Sequence, residues 1–259
     1  RLVQHSSAQQ NREVVLASGA DGSCLDDEPD CIEARTVAVG PAFCGAAADF
    51  DPFEGSKAMT VKGTEELYLD EFYTIEARVF IREYVRSGII VDKYSGSGRG
   101  REYRLSVNKE GLLRSWFSVD GTLNNSRTVL STVPVPKNRW VHVASAFDSR
   151  YVRLFIDGVQ VSERRIAGRP AQLGYQNIAI GGNNCCRGFY EVLNGLIDEV
   201  RISTVARYRE SFDVPRSEFE PDANTQLLMH FTNGGENVGI IGGAVELTEL
   251  DRITACGER

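Results

Sequence analysis

The sequence predicts an all-β protein, an antiparallel sandwich of two sheets, and three observations lead to this fold class. Short runs with period-two hydrophobic alternation recur along the chain, separated by Gly, Pro, Asn and Asp. Segments with a helical period are nearly absent. The clearest alternation lies at 139–162, where three strands of a meander follow one another without interruption.

The meander at 139–162 shows how its strands are recognised. Val141, Val143 and Phe147 share one side-chain parity, which is the repeat of a β-strand. A polar tripeptide then breaks the run, and a second alternating run follows. The dipeptide Asp157-Gly158 tolerates positive φ at both central positions of a type I′ turn, so a third strand is expected after it.

The other predicted strands continue this pattern over most of the chain. The polar segment 1–11 has no period and is predicted to be a flexible N-terminal arm. Because no repeat or low-complexity linker interrupts the series, residues 12–259 are predicted to form a single domain. The strands predicted outside the meander are 13–17, 36–39, 46–50, 57–61, 72–81, 88–93, 102–107, 112–119, 128–130, 176–180, 195–202 and 226–231.

Composition excludes some classes of partner. The chain has 259 residues, 42% of them hydrophobic, and a formal net charge of -7. A nucleic-acid partner is not expected, because neutralising phosphates requires a basic surface. No apolar run approaches the roughly 18 residues of a membrane span, so no membrane insertion is expected. The chain starts at Arg1 with neither Met nor an apolar signal segment, and we expect a processed or truncated start.

The cysteines indicate an oxidising compartment. They are six, an even number, and no C-x-x-C pair suggests zinc. Disulfides and a secreted or cell-surface location are therefore expected. Among the possible pairings, our hypothesis joins Cys24 to Cys31 and Cys44 to Cys256, with Cys185 and Cys186 joined to each other or bound elsewhere.

Several sequence phrases, taken together, carry a family resemblance. They are FCGAAADFD (43–51), FYTIEARVFI (72–81), NRWVHVASAFD (138–148), VRLFIDGVQV (152–161), IAIGGNN (178–184), NGLIDEVRISTVARY (194–208) and TQLLMHF (225–231). In order and spacing they resemble a laminin G-like jelly-roll domain of the concanavalin A-like lectin and glucanase superfamily, over roughly residues 12 to 250. The resemblance implies a two-sheet jelly roll, one sheet concave and one convex, and often a structural calcium ion. It implies no single ligand.

These observations together favour an extracellular, non-catalytic binding module that recognises a glycan. Trp116 lies on the polar parity of its strand and could stack against a sugar ring, unless a neighbouring loop covers it. The second candidate is the connection 183–190, which could equally be a stapled surface loop. Its predicted ligand-binding residues are Asn183, Asn184, Arg187, Phe189 and Tyr190. The alternative is an adhesion or structural domain that binds a surface protein and has no sugar site.

Asp198 is the candidate calcium ligand. It shares strand parity with Val200 and Ile202, so its carboxylate is expected to point toward the core and to need compensation there. In the resembled family, the Asp of this strand commonly helps to hold calcium, and Asp21 and Asp49 are the candidate co-ligands. Without a metal, Asp198 would instead cap backbone amides.

A glycoside-cleaving enzyme is the third reading. Residues 28–33 match the E-x-D-x-x-E spacing of laminarinase-type members of the superfamily. However, Pro29 removes a backbone donor from such a strand, and Cys31 suggests a disulfide loop. No catalytic residues are therefore assigned.

Arginines close together in sequence could bind the carboxylate or sulfate of an acidic glycan through bidentate contacts. Because the net charge is -7, they could equally be solvated partners of surface acids. The two groups are Arg99, Arg101 and Arg104, and Arg164, Arg165 and Arg169.

Overall fold

The chain divides into two compact units, residues 1–43 and residues 44–259. In the first unit, β1 (Arg12–Glu13) pairs antiparallel with β2 (Val37–Ala38). The predicted division into an arm and one domain stays a prediction. The structure is a computed structural model that describes residues 12–13, 37–38, 46–53, 58–94, 99–174, 176–183, 191–231, 236–237 and 253–255.

The second unit consists of two antiparallel sheets, with one 3-10 turn at Glu65–Leu67 among its described residues. Its strands are β3 (Ala46–Phe50), β4 (Met59–Val61), β5 (Phe72–Ile81), β6 (Ser87–Tyr94), β7 (Arg101–Asn108), β8 (Leu112–Ser118), β9 (Ser126–Pro134), β10 (Trp140–Asp148), β11 (Tyr151–Ile156), β12 (Val159–Arg165), β13 (Ile178–Ile180), β14 (Gly195–Ser203), β15 (Thr225–His230), β16 (Glu236–Asn237) and β17 (Ile253–Ala255).

The nine-stranded sheet has the order β12-β11-β10-β5-β14-β15-β16, and β3 pairs with both β14 and β17. The six-stranded sheet has the order β4-β13-β6-β7-β8-β9. The predicted all-β, antiparallel two-sheet sandwich is therefore confirmed. The meander is also confirmed: β10, β11 and β12 are consecutive neighbours, and Asp157 and Gly158 have φ values of 48° and 74° in the turn.

The hydrophobic core lies between the two sheets. Val143 and Phe147 of β10 are fully buried in it, as their predicted parity requires. The ring of Phe147 lies 5.5 Å from that of Tyr73 and 5.8 Å from that of Phe117, so aromatic contacts join the nine-stranded sheet to the six-stranded sheet. Such pairs add to the stabilisation from buried area.

A polar contact also crosses this core. Ser145 Oγ of β10 donates a hydrogen bond of 2.8 Å to Ser115 Oγ of β8. Both serines are buried, and so is Tyr73, whose pKa burial raises to about 12. Buried hydroxyls cost free energy unless they are paired, so this bond offsets the cost of placing polar groups in the core.

The outer face of the nine-stranded sheet is covered by the segment 204–224, which connects β14 to β15. The ring of Phe155 lies 5.7 Å from Tyr208 and 5.5 Å from Phe212. His142 is buried, and its ring makes edge-to-face contacts with three aromatic side chains of this segment, Tyr208, Phe212 and Phe219. The part of this face around His142 and Phe155 is therefore closed to a large ligand.

A buried ion network lies beneath the covering segment. Glu76 accepts hydrogen bonds from Arg201 Nε at 2.8 Å and from the Tyr208 hydroxyl at 2.8 Å. Its carboxylate also lies 3.0 Å from His142 Nε2. Burial raises the pKa of Glu76, but His142 and Arg201 outweigh that effect and lower it to about 2. The carboxylate therefore stays ionised in the folded protein.

The predicted direction of Asp198 was wrong. Ile197 lies in the core with Val200, because the register of β14 against β5 shifts between Asp198 and Arg201. Glu199 has a left-handed φ of 56° at this bulge, which changes the side-chain parity along the strand. Asp198 aligns with Arg78 and belongs to the covered outer face, not to the hydrophobic core.

Candidate functional site

Trp116 lies on the outer face of the six-stranded sheet. On β8, Leu113, Ser115 and Phe117 are buried, whereas Arg114 and Trp116 alternate with them and are half-buried. Because successive side chains of a strand point to opposite faces, Arg114 and Trp116 share the outer face. We call this surface the Trp116 face, defined by Tyr94, Arg104, Arg114, Trp116 and Glu191.

The aromatic part of the Trp116 face consists of Tyr94 and Trp116. Their ring centroids are 6.1 Å apart, and the planes make an angle of 61°, an edge-to-face arrangement. Arg101 Nε donates a hydrogen bond of 2.9 Å to the Tyr94 hydroxyl, and Arg104 Cζ lies 4.8 Å from the Tyr94 ring centroid. These contacts restrict the tyrosine ring that supports Trp116.

Arg104 organises the polar part of this face. Its Nε and Nη2 donate to the two carboxylate oxygens of Asp92 at 2.9 and 3.1 Å, and its Nη1 donates to Glu191 Oε1 at 3.1 Å. Burial raises the pKa of Asp92 to about 6, although Arg104 opposes this shift. Asn183 Nδ2 donates to Glu191 Oε2 at 2.6 Å, so Arg104 and Glu191 join Asn183 to the Trp116 face.

Arg114 is bound differently from Arg104. Its Nε donates to Ser106 Oγ at 3.1 Å, and its Nη2 donates to Ser87 Oγ at 3.2 Å. Within the described part of the chain, no carboxylate forms an ion pair with it. Two neutral hydroxyls therefore orient this guanidinium without neutralising its charge.

The comparison with protein families decides the class of this fold. The model of the concanavalin A-like lectin/glucanases superfamily matches residues 53–211, more than half of the chain. The chain belongs to this superfamily. The match includes β4 to β14 and therefore both Trp116 and Arg114. None of the curated proteins matches the sequence.

Several solved structures are similar to this chain. A candidate carbohydrate-binding protein from Bacteroides ovatus has a TM-score of 0.54 and 16% identity, and the match covers 76% of this chain and 56% of that one. This chain thus spans little more than half of that protein's length. Domains LG4-5 of the mouse laminin alpha1 chain give a TM-score of 0.49 and 14% identity, covering 65% and 44%. The CBM40 of a Ruminococcus gnavus sialidase, bound to α2,3 sialyllactose, gives 0.43 and 14%, covering 60% and 88%.

The structure describes only part of the predicted binding set. Trp116 and Asn183 lie in the described residues and are connected through Arg104 and Glu191, as shown above. Tyr94 and Glu191 were not predicted as site residues, although the side-chain parity along β6 could have indicated Tyr94. Outside the described residues lie Asn184, Arg187, Phe189, Tyr190, Asp21, the segment 28–33 and all six cysteines.

The calcium ligands predicted from the superfamily resemblance are partly engaged by other groups. Asp49 forms an ion pair of 2.6 Å with Arg82. Asp198 is buried and, among the residues described, forms no ion pair, while its Oδ1 accepts a hydrogen bond of 2.8 Å from the Glu199 amide. Burial, followed by the Glu199 carboxylate, raises the pKa of Asp198 to about 7.

A different group of possible ligands lies nearby. The ligand atoms of Glu199, Glu218 and His230 lie within 4.8 Å of one another, and no other such group occurs in the described ranges. The two carboxylate oxygens of Glu199 already bind His230 Nδ1 and the Phe219 amide. This group is therefore explained as an internal ion pair.

No described helix has the length and apolar character of a membrane span.

Proposed function

We propose that this chain is a non-catalytic glycan-binding module that acts in a secreted or cell-surface protein, with the Trp116 face as its binding surface. The observation that carries the proposal is a half-buried tryptophan, supported by Tyr94 and surrounded by hydrogen-bonding side chains on an outer sheet face. Aromatic rings stack on the apolar faces of sugars, and the surrounding polar groups bind hydroxyls. The description of the Bacteroides ovatus protein as a candidate carbohydrate-binding protein supports this class of ligand.

Catalysis is not part of the proposal because of how the carboxylates of this face are used. Asp92 and Glu191 both bind Arg104, and the Asp92 side chain is fully buried. A glycosidase needs two carboxyl groups on either side of the scissile bond, one of them available to protonate the leaving group. Because both carboxylates form ion pairs with Arg104, neither is available to act on a substrate.

A surface protein is the second candidate partner. Leu130, which aligns with Arg114 across β8 and β9, is 40% exposed. An exposed apolar side chain beside Arg114 could extend the contact to a protein. A glycan remains the favoured ligand because guanidinium, carboxylate and aromatic groups make up the rest of this face.

The two tryptophans provide a matched test. Trp140 packs on Phe80 in the nine-stranded sheet at 6.0 Å and 65°, nearly the geometry of Trp116 on Tyr94, and it is also half-buried. A saccharide array should show binding by the wild type and by Trp140→Ala. Trp116→Ala should lose about fivefold in affinity, because a stacked aromatic contributes on the order of 1 kcal/mol. If both variants bind saccharides equally well, the site lies elsewhere. If the wild type binds a surface protein and no saccharide, the second candidate is favoured.

We also propose a structural calcium ion with Asp198 as a ligand. The support is a buried carboxylate without an ion pair among the described residues, next to the carboxylate of Glu199. Calcium prefers about six to eight oxygen ligands, so backbone carbonyls and Asp21 would have to complete the site. Asp49 would contribute only if it left Arg82.

A further inference from the structure

We infer that the ligand of the Trp116 face is a saccharide that carries a carboxylate, and that Arg114 binds this carboxylate. The inference rests on the proposed glycan-binding function of the same face and adds the chemical class of the sugar. It depends on the position of Arg114, two residues before Trp116 on the same side of β8.

The Arg114 guanidinium is held in place but keeps binding capacity. It donates two hydrogen bonds, to the hydroxyl oxygens of Ser106 on β7 and Ser87 on β6, and these bonds fix the side chain across the sheet. A guanidinium has about five N–H donors in a rigid fork. The remaining donors have no partner among the described residues and are available to a ligand.

The charge of Arg114 is also uncompensated within the described residues. The carboxylates of the site, Asp92 and Glu191, both form ion pairs with Arg104. Burial and the positive charge of Arg104 lower the pKa of Arg114, while Glu191 and Asp92 oppose this shift. A half-buried cation without an ion pair is unusual, since charges removed from water are normally paired. An anionic group on the ligand would supply the missing partner.

The spacing along β8 fits a single sugar acid. Side chains two positions apart on a strand are about 7 Å apart. A pyranose ring stacked on Trp116 can therefore direct a carboxylate substituent toward Arg114. The planar guanidinium matches a carboxylate with two parallel hydrogen bonds, which is why we assign a carboxylate to this position.

The test uses a saccharide array in which each acidic saccharide is printed twice, as the free carboxylate and as its methyl ester, beside sulfated saccharides. We expect the wild type to prefer the free acid to its ester by at least about tenfold, the lower end of the range for a charged hydrogen bond. Arg114→Gln should bind acid and ester equally while keeping the contact to Trp116. Circular dichroism should show the same strand content in both proteins.

Arg127→Gln is the matched control. Arg127 is half-buried in the neighbouring β9, and its hydrogen bonds go to the backbone oxygens of Ala167 and Ser126. Its register partner Phe117 faces the core, so Arg127 does not belong to the Trp116 face. This variant removes the same charge and should keep the preference for the free acid.

Each contrary outcome has a separate meaning. If the wild type binds the free acid and the ester equally, and Trp116→Ala no longer binds either, the inference is overturned and the proposed function stands. If Arg127→Gln loses the preference for the free acid as fully as Arg114→Gln does, the inference is overturned, because the preference then comes only from long-range charge attraction. Sulfated sugars bound through Arg114 in place of carboxylates would overturn the assignment of the carboxylate. Binding to no saccharide at all would overturn both the inference and the proposed function.

Discussion

Arg104 binds Glu191 and Asp92 at the same time, so one guanidinium on β7 joins the strand β6 to the residues that precede β14. The contact to Asp92 is bidentate, and the contact to Glu191 reaches Asn183 through a further hydrogen bond. The position of Asn183 relative to Trp116 therefore depends on a side chain that need not touch a ligand.

Arg104→Lys should weaken this arrangement although the charge is kept. A lysine ammonium cannot form the two parallel bonds to Asp92 and reach Glu191 as well. Hydrogen bonds to charged groups contribute about 1.5–3 kcal/mol, and we expect a loss of that size in the free energy of unfolding. Urea denaturation measures it, with Arg127→Lys as the control. An unchanged midpoint would show that the Arg104 bonds do not stabilise the fold.

Removing either Lys93 or Glu102 alone should destabilise the fold more than replacing both with apolar residues. Their side chains are 0% exposed and 2.9 Å apart. Burial lowers the pKa of Lys93 and raises that of Glu102, and each partner opposes the other's shift. Lys93→Met leaves a buried carboxylate alone and should cost about 3–5 kcal/mol. Lys93→Met with Glu102→Leu should recover much of the loss in urea denaturation; a double variant no more stable than the single one would contradict this.

Glu76 should make the fold sensitive to acid. Its pKa falls from 4.5 to about 2 in the folded protein, so the folded state favours the ionised carboxylate. The resulting stabilisation, about 3 kcal/mol from that shift, is present above pH 4.5 and is lost as the pH falls toward 2. The difference in unfolding free energy between wild type and Glu76→Gln should therefore shrink between pH 5 and pH 2. A constant difference would show that ionisation of Glu76 is not responsible.

Calcium should raise the melting temperature through Asp198. A ligand that binds only the folded state adds about 2.7 kcal/mol at 100 times its dissociation constant. Thermal melts with calcium and with EDTA should differ for the wild type and coincide for Asp198→Asn. If EDTA leaves the wild-type midpoint unchanged and elemental analysis finds no ion, Asp198 is a hydrogen-bonded carboxylate without a metal.

The cysteines should be oxidised in the native protein. Their even number and the expected secreted or cell-surface location are the reasons. Alkylation without reductant, followed by mass spectrometry, should find few or no free thiols. A reduced and alkylated sample gives the full count for comparison, and six modified cysteines in the native sample would contradict the prediction.

The strands were predictable where alternation is uninterrupted. The predicted range 72–81 coincides with β5, and 46–50 coincides with β3. The prediction at 128–130 was too short, because β9 spans Ser126–Pro134 and is half exposed, so its alternation is less distinct.

Two features needed the structure. Glu199 has a left-handed φ at the bulge, but no Gly or Asn in the sequence indicates such a conformation there. The bulge could not be predicted, and the face assigned to Asp198 was therefore wrong. The cover over the nine-stranded sheet was also missed. The sequence of β10 indicates this cover, because Ala144 and Ala146 lie on the face opposite the core and are apolar. In the structure they are as buried as the core-facing side chains of β10. Apolar residues on both faces of a strand indicate that both faces are covered.

The position of β14 has a consequence for how the protein is made. It lies between β5 on one side and β3 with β15 on the other, yet β5 ends at residue 81 and β14 begins at residue 195. Contacts so distant in sequence make folding slow, because a long loop must close before they form. Until residue 203 has left the ribosome, β5 has an unpaired edge, and nascent chains are open to aggregation through it. Chaperone binding during synthesis would protect the chain at this stage.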